Sequence, residues 1–207
     1  MWYDLFSLVY DRALEDLYAP FRPAAIEALR LGRGDRVLDV PCGTGQSFDL
    51  VAPLVGPTGG VLGVDRSRGM LRQARRRAER AGWAHVALRQ TAAGEVDADL
   101  VAGAIGPGAV DGVLCALGPT ALPAWEATFE RLFGLLRPGG RFVLFDVYAA
   151  APTRASRSVE LVARADLSRA GWRPLAARCA DAERTVLPAD PETFGGELYV
   201  AAGTKVV

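Results

Sequence analysis

A ten-residue segment constrains the fold of this chain more than any other feature. Residues 37–46 read Val-Leu-Asp-Val-Pro-Cys-Gly-Thr-Gly-Gln, an apolar run followed directly by a glycine-containing turn. The apolar run is typical of a buried strand, and a helical pattern follows the turn. Because glycine lacks a Cβ, Gly43 and Gly45 permit a ligand to approach the backbone, and we expect them to leave N–H groups bare for it. The segment predicts a strand, a ligand-binding turn and a helix in succession.

A second apolar run ends in an acid at a separation that suits a nucleoside. Gly60–Val64 precedes Asp65, which lies 22 residues beyond Gly43. In Rossmann-type folds an acid about 20 residues after the glycine turn binds the ribose hydroxyls. Turn and acid together predict a ligand that contains a nucleoside.

Short apolar runs alternate with helical patterns from residue 36 onward, which is typical of βαβ units. Strands are predicted at Arg36–Val40, Gly60–Asp65, His85–Gln90, Gly112–Ala116, Arg141–Tyr148, Leu175–Ala180 and Glu197–Gly203, and helices at Gln46–Val55, Ser67–Ala81, Leu122–Leu136 and Arg154–Ala170. Before the sheet, an apolar stripe predicts a helix from Trp2 to Leu17, and a second begins after Pro23 and ends near Gly32. The predicted fold class is α/β, a Rossmann-like, doubly wound, mostly parallel seven-stranded sheet with helices on both faces.

The length and charge of the chain limit the number of domains and the kinds of partner. The 207 residues suit one domain over 1–207, with amino-terminal helices in 1–33 and the core in 34–207. Basic and acidic residues balance at 24 each, so no net field attracts nucleic acid or an anionic membrane. No stretch approaches the roughly 18 uninterrupted apolar residues of a membrane span, and Asp4 with Asp11 argues against a signal peptide. We expect a soluble, cytoplasmic protein.

The cysteine and histidine content argues against a metal site. Cys42, Cys115 and Cys179 form no C-x-x-C pair, and His85 is the single histidine. Cys42 precedes a helix start, which fits either a reactive thiol or a small residue in a tight loop. His85 begins the third strand, at the opposite end from the binding crevice, so we do not expect it to act as a general base.

Seven arginines lie between Arg66 and Arg80. They alternate with a helical stripe of small and apolar residues, so a solvated outer face is favoured over a nucleic-acid surface. With a lipid-like substrate, the same face could help docking, which leaves peripheral membrane contact open.

Three segments share the pattern of one enzyme family. They read V-L-D-V-P-C-G-T-G-Q from Val37, G-V-D-R-S-R-G-M-L from Gly63 and L-L-R-P-G-G-R-F-V-L from Leu135. These segments resemble the class I S-adenosylmethionine-dependent methyltransferases. With Tyr3-Asp4 and Tyr10-Asp11, they are most similar to the branch of ubiquinone and menaquinone methyltransferases and bacterial phosphatidylethanolamine N-methyltransferases. Gln46-Ser47-Phe48 stands where a dinucleotide-binding loop has its third glycine, which disfavours NAD or FAD.

The resemblance implies S-adenosyl-L-methionine as cofactor, S-adenosyl-L-homocysteine as product, and amino-terminal helices that form a lid. The residues expected around the methionine part are Asp39, Cys42, Gly43, Thr44 and Gly45, and Tyr3 and Tyr10 would contact its carboxylate. Asp65, with Arg66 beside it, would bind the ribose, and Met70 would pack on the adenine. Cys115 and Leu117 would lie near the transferred methyl group. Ordinary core packing is the alternative for Met70 and for both tyrosines. Gln90, Thr91 and Ala92 replace the acid-containing pair with which the family binds the adenine amino group, so we expect adenine to be bound here by neutral hydrogen bonds of Gln90 or Thr91 or by backbone groups alone.

The end of the fifth strand supplies the catalytic candidates. Asp146 and Tyr148 lie on the crevice side, where they would assist a phenol, whereas an amine need only arrive deprotonated. Strand termination near the surface is the alternative for Asp146. The apolar segments Val159–Val162 and Phe194–Val200 suggest an apolar, amphiphilic or lipid-like acceptor.

The sequence thus predicts a methyltransferase that acts on a small apolar or amphiphilic acceptor of lipid-amine or phenol/quinol type. A dinucleotide-dependent oxidoreductase and a non-catalytic S-adenosylmethionine-binding module are the alternatives. No nucleic-acid partner is expected, and the oligomeric state is not predicted.

Overall fold

The computed structural model describes residues 17–206 as a seven-stranded sheet with helices on both faces. The strands are β1 (Arg36–Asp39), β2 (Gly60–Asp65), β3 (Val86–Gln90), β4 (Val110–Ala116), β5 (Leu136–Tyr148), β6 (Glu183–Val186) and β7 (Glu197–Thr204). The helices are α1 (Arg22–Ala28), α2 (Phe48–Val55), α3 (Arg68–Ala81), α4 (Ala98–Ile105), α5 (Trp125–Gly134), α6 (Arg154–Ala163), α7 (Arg173–Arg178) and α8 (Pro191–Phe194), and a 3₁₀ turn covers Ala93–Glu95. The amino-terminal helix predicted from Trp2 lies almost wholly outside the described residues.

The strand order is β3-β2-β1-β4-β5-β7-β6. Strands β1 to β5 pair in parallel, whereas β7 runs antiparallel to both β5 and β6. The predicted α/β class with a mostly parallel seven-stranded sheet is therefore confirmed. The chain builds outward from β1 to β3 and then crosses to β4, so β1 and β4 flank the point where the order reverses. Ligands of open α/β sheets bind outside the carboxyl ends of the strands at this point.

The central strands read as continuous apolar runs because both of their faces are covered. Val37 packs into a core with side chains from α1 and α2. The adjacent Leu38 points to the other side, into a core with α5. In that second core the ring of Phe129 lies 4.9 Å from Phe142 and 5.9 Å from Trp125, measured between ring centres. Helices on both faces fix the sheet and thus the positions of the strand ends.

The predicted strand at Leu175–Ala180 is wrong. This region contains α7, and the missing strand is β6, which pairs with β7 from Glu183 opposite Ala202. Pro174 stands in the first turn of α7, where its missing N–H costs nothing. A short apolar run does not distinguish a buried helix from a strand.

Further helices also differ from the prediction, and α8 was not predicted. The helix predicted to reach Ala170 ends at Ala163, because Arg164 adopts a left-handed conformation with φ of 51°. Helix α4 was not predicted, although Asp97 caps it by accepting a hydrogen bond from the Leu100 amide at 2.8 Å. No helix within residues 17–206 has the length and apolar character to cross a bilayer.

Substitution of Phe129 tests the packing between α5 and the sheet. Its side chain is fully buried. We expect Phe129→Ala to lower the free energy of unfolding by about 3–5 kcal/mol in urea denaturation, because it removes a buried ring and leaves a cavity. Leu161→Ala, at a site that is 79% exposed, is the control and should change it by less than about 0.5 kcal/mol. Equal effects for the two variants would contradict the packing described.

Candidate ligand-binding site

A cavity of about 760 Å³ opens at the carboxyl ends of the parallel strands. Its wall combines the loop after β1, the end of β2, the 3₁₀ turn after β3, the loop after β4 and one side of α6. Leu17, Tyr18 and Arg22 close it from the amino-terminal side. The cavity lies where the strand order reverses, as expected for a ligand site of this fold.

The glycine turn after β1 is held more tightly than the sequence predicts. The Gly43 N–H donates to Asp65 at 3.0 Å, and the Gly45 N–H donates to the Cys42 carbonyl at 2.9 Å. The expectation that these two amides are bare is therefore wrong, because the turn closes on itself and on the end of β2. Both glycines have positive φ, 54° and 79°. A Cβ on Gly45 would stand 2.6 Å from the Phe48 ring, so the glycine lets α2 pack against the turn.

Asp65 stands at the end of β2 and lines the cavity. One carboxylate oxygen accepts from the Gly43 amide at 3.0 Å, and the other accepts from the Ser67 amide at 2.8 Å. Burial raises the pKa of Asp65, and the two amides oppose that shift. A carboxylate fixed in this way keeps acceptor capacity for two further donors, as the two hydroxyls of a ribose would provide.

Asp39 lies at the end of β1, behind the cavity wall, and is 1% exposed. Neither of its carboxylate oxygens has a hydrogen-bond partner. Burial raises the pKa of Asp39 to about 7, and the Arg22 charge followed by the Ser47 hydroxyl opposes the shift. Arg22 lines the cavity, and its guanidinium donates to Ser47 Oγ at 3.0 Å and to Gln46 Oε1 at 2.7 Å. This side of the site thus carries a buried cation near a buried acid.

The 3₁₀ turn after β3 forms the opposite wall. Thr91, Ala92 and Glu95 line the cavity there. The Thr91 hydroxyl donates to Glu95 Oε2 at 2.8 Å, and the Ala92 amide donates to the same oxygen at 3.3 Å. Gln90 does not line the cavity and donates from Nε2 to the Arg66 carbonyl at 3.2 Å.

Asp146, on β5, fixes the loop after β4. Thr120 donates to the two carboxylate oxygens through its amide and its hydroxyl, each at 2.9 Å, and the Val147 amide donates at 2.8 Å. Arg169 also holds this loop, because it donates to the carbonyls of Pro119 and Leu122 at 2.8 and 2.6 Å. Burial raises the pKa of Asp146 to about 6. Because its oxygens are occupied within the protein, Asp146 positions this loop.

The structure brings most of the predicted site residues to one cavity. Those that line it are Cys42, Gly43, Thr44, Asp65, Arg66, Met70, Thr91, Ala92, Leu117 and Asp146. Asp39, Gly45, Gln90, Cys115 and Tyr148 do not line it. The ring of Tyr148 packs instead on Trp172, with 4.7 Å between ring centres. Tyr3 and Tyr10 lie outside the described residues.

The thiols and the histidine offer no evident reactive group at the cavity. Burial, followed by the charges of Asp39 and Asp65, raises the pKa of the Cys42 thiol, which favours a tight-fitting neutral residue over a thiolate. His85 does not line the cavity. Its Nε2 lies 3.1 Å from the Ala52 carbonyl oxygen. Among residues 17–206, no group of three His, Cys, Asp or Glu side chains could hold a metal ion.

The polar residues of the wall that the sequence did not predict include Arg22, Glu95 and Thr120. Tertiary contacts hold Arg22 and Thr120 at the cavity, whereas Glu95 is held by local hydrogen bonds from Thr91 and Ala92. An available signal for Glu95 was its place three residues after Ala92, the spacing at which a glutamate reaches back to a turn amide.

A model of a methyltransferase domain matches residues 31–178 of the chain. The match covers more than half of the sequence and includes the glycine turn, Asp65 and the loop after β4. The chain belongs to this methyltransferase domain family. The resemblance to class I S-adenosylmethionine-dependent methyltransferases is thereby confirmed.

Individual relatives of this methyltransferase domain are more distant. An uncharacterised protein from a transposon of Streptomyces fradiae is 32% identical over 142 residues, which cover 68% of this chain and 38% of that protein. A demethylmenaquinone methyltransferase of Listeria welshimeri is 28% identical over 130 residues, which cover 63% and 52% of the two chains. The chain spans about half the length of the second relative and less of the first.

Solved structures share the fold at low identity. Geranyl diphosphate C-methyltransferase from Streptomyces coelicolor, in complex with Mg²⁺, geranyl diphosphate and S-adenosyl-L-homocysteine, has a TM-score of 0.75 at 18% identity and covers 92% of this chain and 80% of its own. A putative methyltransferase in complex with the Haloferax volcanii Trm112 activator has a TM-score of 0.76 at 18% identity and covers 99% and 98%. These likenesses concern the fold.

Replacement of Asp39 tests the electrostatic account of the buried acid. The pKa of Asp39 is about 7 in the folded chain and has an ordinary value near 4 when unfolded. The folded state therefore binds more protons between these values, and this residue's contribution to stability falls as pH rises toward 7. We expect Asp39→Asn to stabilise the protein relative to wild type by about 2 kcal/mol more at pH 8 than at pH 5.

Urea denaturation of both proteins at the two pH values measures this difference. Asp99→Asn, which changes an exposed acid on α4, should show the same difference from wild type at both values. A difference for Asp39→Asn that does not change with pH would mean that the carboxyl group is not buried in this way.

Proposed function

We propose that the chain is an S-adenosylmethionine-dependent methyltransferase that acts on a small apolar or amphiphilic acceptor. The observation that carries the proposal is the fixed carboxylate of Asp65, which faces the cavity beside the glycine turn. An acceptor-only group at this strand end suits the two hydroxyls of a ribose. Membership of a methyltransferase domain family supports this assignment.

The residues of the cavity fit such a cofactor. The volume of about 760 Å³ is within the range of about 300–1,000 Å³ that is common for small-molecule sites. Asp65 would hold the ribose, and the glycine turn with Arg22 would surround the methionine part, whose carboxylate complements the guanidinium. The two unpartnered oxygens of Asp39 lie close behind this part of the wall and favour positive charge there.

When bound, S-adenosylmethionine supplies a methyl group on a positively charged sulfur, which needs no further activation by the protein. The protein must then align the acceptor and exclude water. Correct alignment alone can lower a barrier by about 7 kcal/mol or more. The apolar side chains of Leu117, Leu122 and Val159 line the cavity and would exclude water around the acceptor.

The polar groups near the loop after β4 favour an acceptor whose nucleophile needs no base from the protein. The carboxylates that line the cavity belong to Asp65, Glu95 and Asp146, among the described residues, and Asp146 is occupied by Thr120. Asp146 would then act as a positioning residue. A deprotonated amine needs no base, whereas a phenol or quinol would need one, for which Asp146 and Tyr148 were the candidates.

An apolar or amphiphilic acceptor agrees with the α6 side of the cavity. Val159, Val162 and Leu167 line it, and Leu161 nearby is 79% exposed. Relatives named for demethylmenaquinone and geranyl diphosphate support the same class. The proposal includes peripheral membrane contact, because α6 has an open apolar side and α3 has exposed arginines.

The domain organisation is also part of the proposal. A single domain over 1–207, with 1–33 as a lid, agrees with the placement of Leu17, Tyr18 and Arg22 on the cavity wall. The lid would exclude water from the cavity and contribute the Arg22 charge.

Asp65→Asn tests the cofactor site. The amide removes the charge and one acceptor that the ribose hydroxyls would use, so we expect the affinity for S-adenosylhomocysteine to fall about tenfold or more by calorimetry. Asp99→Asn is the matched control and should bind like wild type. Wild type should also be stabilised against heat by S-adenosylhomocysteine and not by NAD. Unchanged affinity in Asp65→Asn would remove this carboxylate from the site.

A further inference from the structure

Helix α6 presents an exposed leucine between two arginines. Leu161 is 79% exposed, more than any other large apolar side chain in the described part of the chain. Arg154 and Arg157 precede it by seven and four residues, so the three side chains share one face of the helix, and both arginines are exposed. Glu160, the one acid of α6, is half-buried, and its carboxylate accepts from the Leu167 amide at 3.2 Å. The outer face therefore combines an apolar side chain with two positive charges.

The adjacent side of α6 belongs to the cavity. Val159, Val162 and Ala163 form part of the cavity wall. Val162 is also 47% exposed, so it stands where the cavity meets the surface of the protein. Leu161 is its neighbour in sequence, and the outer face of α6 thus lies beside the mouth of the cavity.

We propose that the face formed by Arg154, Arg157 and Leu161 docks on an anionic lipid bilayer and places the mouth of the cavity against it. Charge complementarity argues for this partner, because anionic headgroups attract the arginines while the leucine enters the boundary of the acyl chains. The long arginine side chains keep their charges at the level of the headgroups when Leu161 is buried. The inference rests on the proposed function, since an apolar or amphiphilic acceptor would then enter the cavity directly from the bilayer.

A bilayer suits this face better than a protein partner does. Protein interfaces are centred on large side chains, often aromatic, that fill pockets of the partner, and α6 contains no aromatic residue. The exposed arginines of α3 carry more charge, but no large apolar side chain of α3 is exposed. The outer face of α6 combines both contributions to binding at an anionic interface, and the face of α3 offers the charge alone.

Sedimentation of the full chain with lipid vesicles measures the docking. We expect wild type to bind vesicles of mixed phosphatidylglycerol and phosphatidylcholine about tenfold more tightly or better than vesicles of phosphatidylcholine alone, because the arginines contribute at an anionic surface. The difference should shrink as the salt concentration rises. Equal affinity for the two kinds of vesicle, or binding to neither, would overturn the inference.

A pair of double variants with the same change in charge locates the surface. Arg154→Gln with Arg157→Gln should lower the affinity for the anionic vesicles about tenfold or more. Arg72→Gln with Arg76→Gln removes the same charge from the exposed face of α3 and should lower it about threefold or less. Equal losses would show attraction by total charge, which contradicts docking through α6.

Leu161→Gln tests the apolar contribution. We expect it to lower the affinity for the anionic vesicles about fivefold or more, because a glutamine does not enter the acyl boundary favourably. Leu54→Gln is the matched control, since Leu54 is a 45% exposed leucine on α2 outside the cavity wall, and it should bind vesicles like wild type. The same affinity in Leu161→Gln as in wild type would remove Leu161 from the docking face.

Binding of S-adenosylhomocysteine separates this inference from the proposed function. None of the substituted residues lines the cavity, so every variant should keep the wild-type affinity by calorimetry. If wild type binds S-adenosylhomocysteine but not the anionic vesicles, the docking is overturned while the proposed function stands. If it binds the vesicles but not S-adenosylhomocysteine, the proposed function fails while docking through α6 stands.

Measurements without lipid test the other occupants of this face. A wild-type dimer that Leu161→Gln dissociates in analytical ultracentrifugation would assign the face to a second copy of the chain. A melting temperature several degrees lower in Leu161→Gln than in Leu54→Gln would assign it to another segment of the same chain. Either result would overturn the inference.

Discussion

The contact between Asp65 and the glycine turn organises the site. The carboxylate accepts from the Gly43 amide on one side and from the Ser67 amide at the start of α3 on the other. One side chain thereby connects the end of β2, the turn after β1 and the first residues of a helix. Burial opposes the charge of Asp65, and the two amides stabilise it. The same charge that fixes the turn is the charge that a ribose would use.

The strand order then distributes different chemistry along the cavity. The β1 end carries Arg22 near the buried Asp39, the β3 end carries Glu95, and the β4 loop carries apolar side chains above the occupied Asp146. A ligand with a charged end, a nucleoside and a reactive group near an apolar partner matches this arrangement part by part. The parallel strands bring these groups together, because the carboxyl ends of parallel strands meet at one edge of the sheet.

The sequence predicted the features that depend on local pattern. The glycine turn, Asp65 and the parallel strands β1, β2 and β4 are carried by runs of neighbouring residues whose period and punctuation are visible without the fold. Arg22 and Thr120 could not be predicted, since their roles depend on contacts with Ser47 and Asp146 that are 25 and 26 residues away. The error at Leu175–Ala180 has another origin, because a six-residue segment of mostly small and apolar residues fits a helix as well as a strand. The expectation of bare amides at Gly43 and Gly45 was wrong, because the Asp65 carboxylate accepts from the first and the Cys42 carbonyl within the turn accepts from the second.

A crystal structure with S-adenosylhomocysteine tests the central claim most directly. The account predicts the ribose hydroxyls within hydrogen-bond distance of the Asp65 carboxylate, the methionine part beside the glycine turn and Arg22, and the base against the turn of Ala93–Glu95. A nucleoside bound elsewhere on the chain, or one bound with its base over the loop after β4, would contradict it.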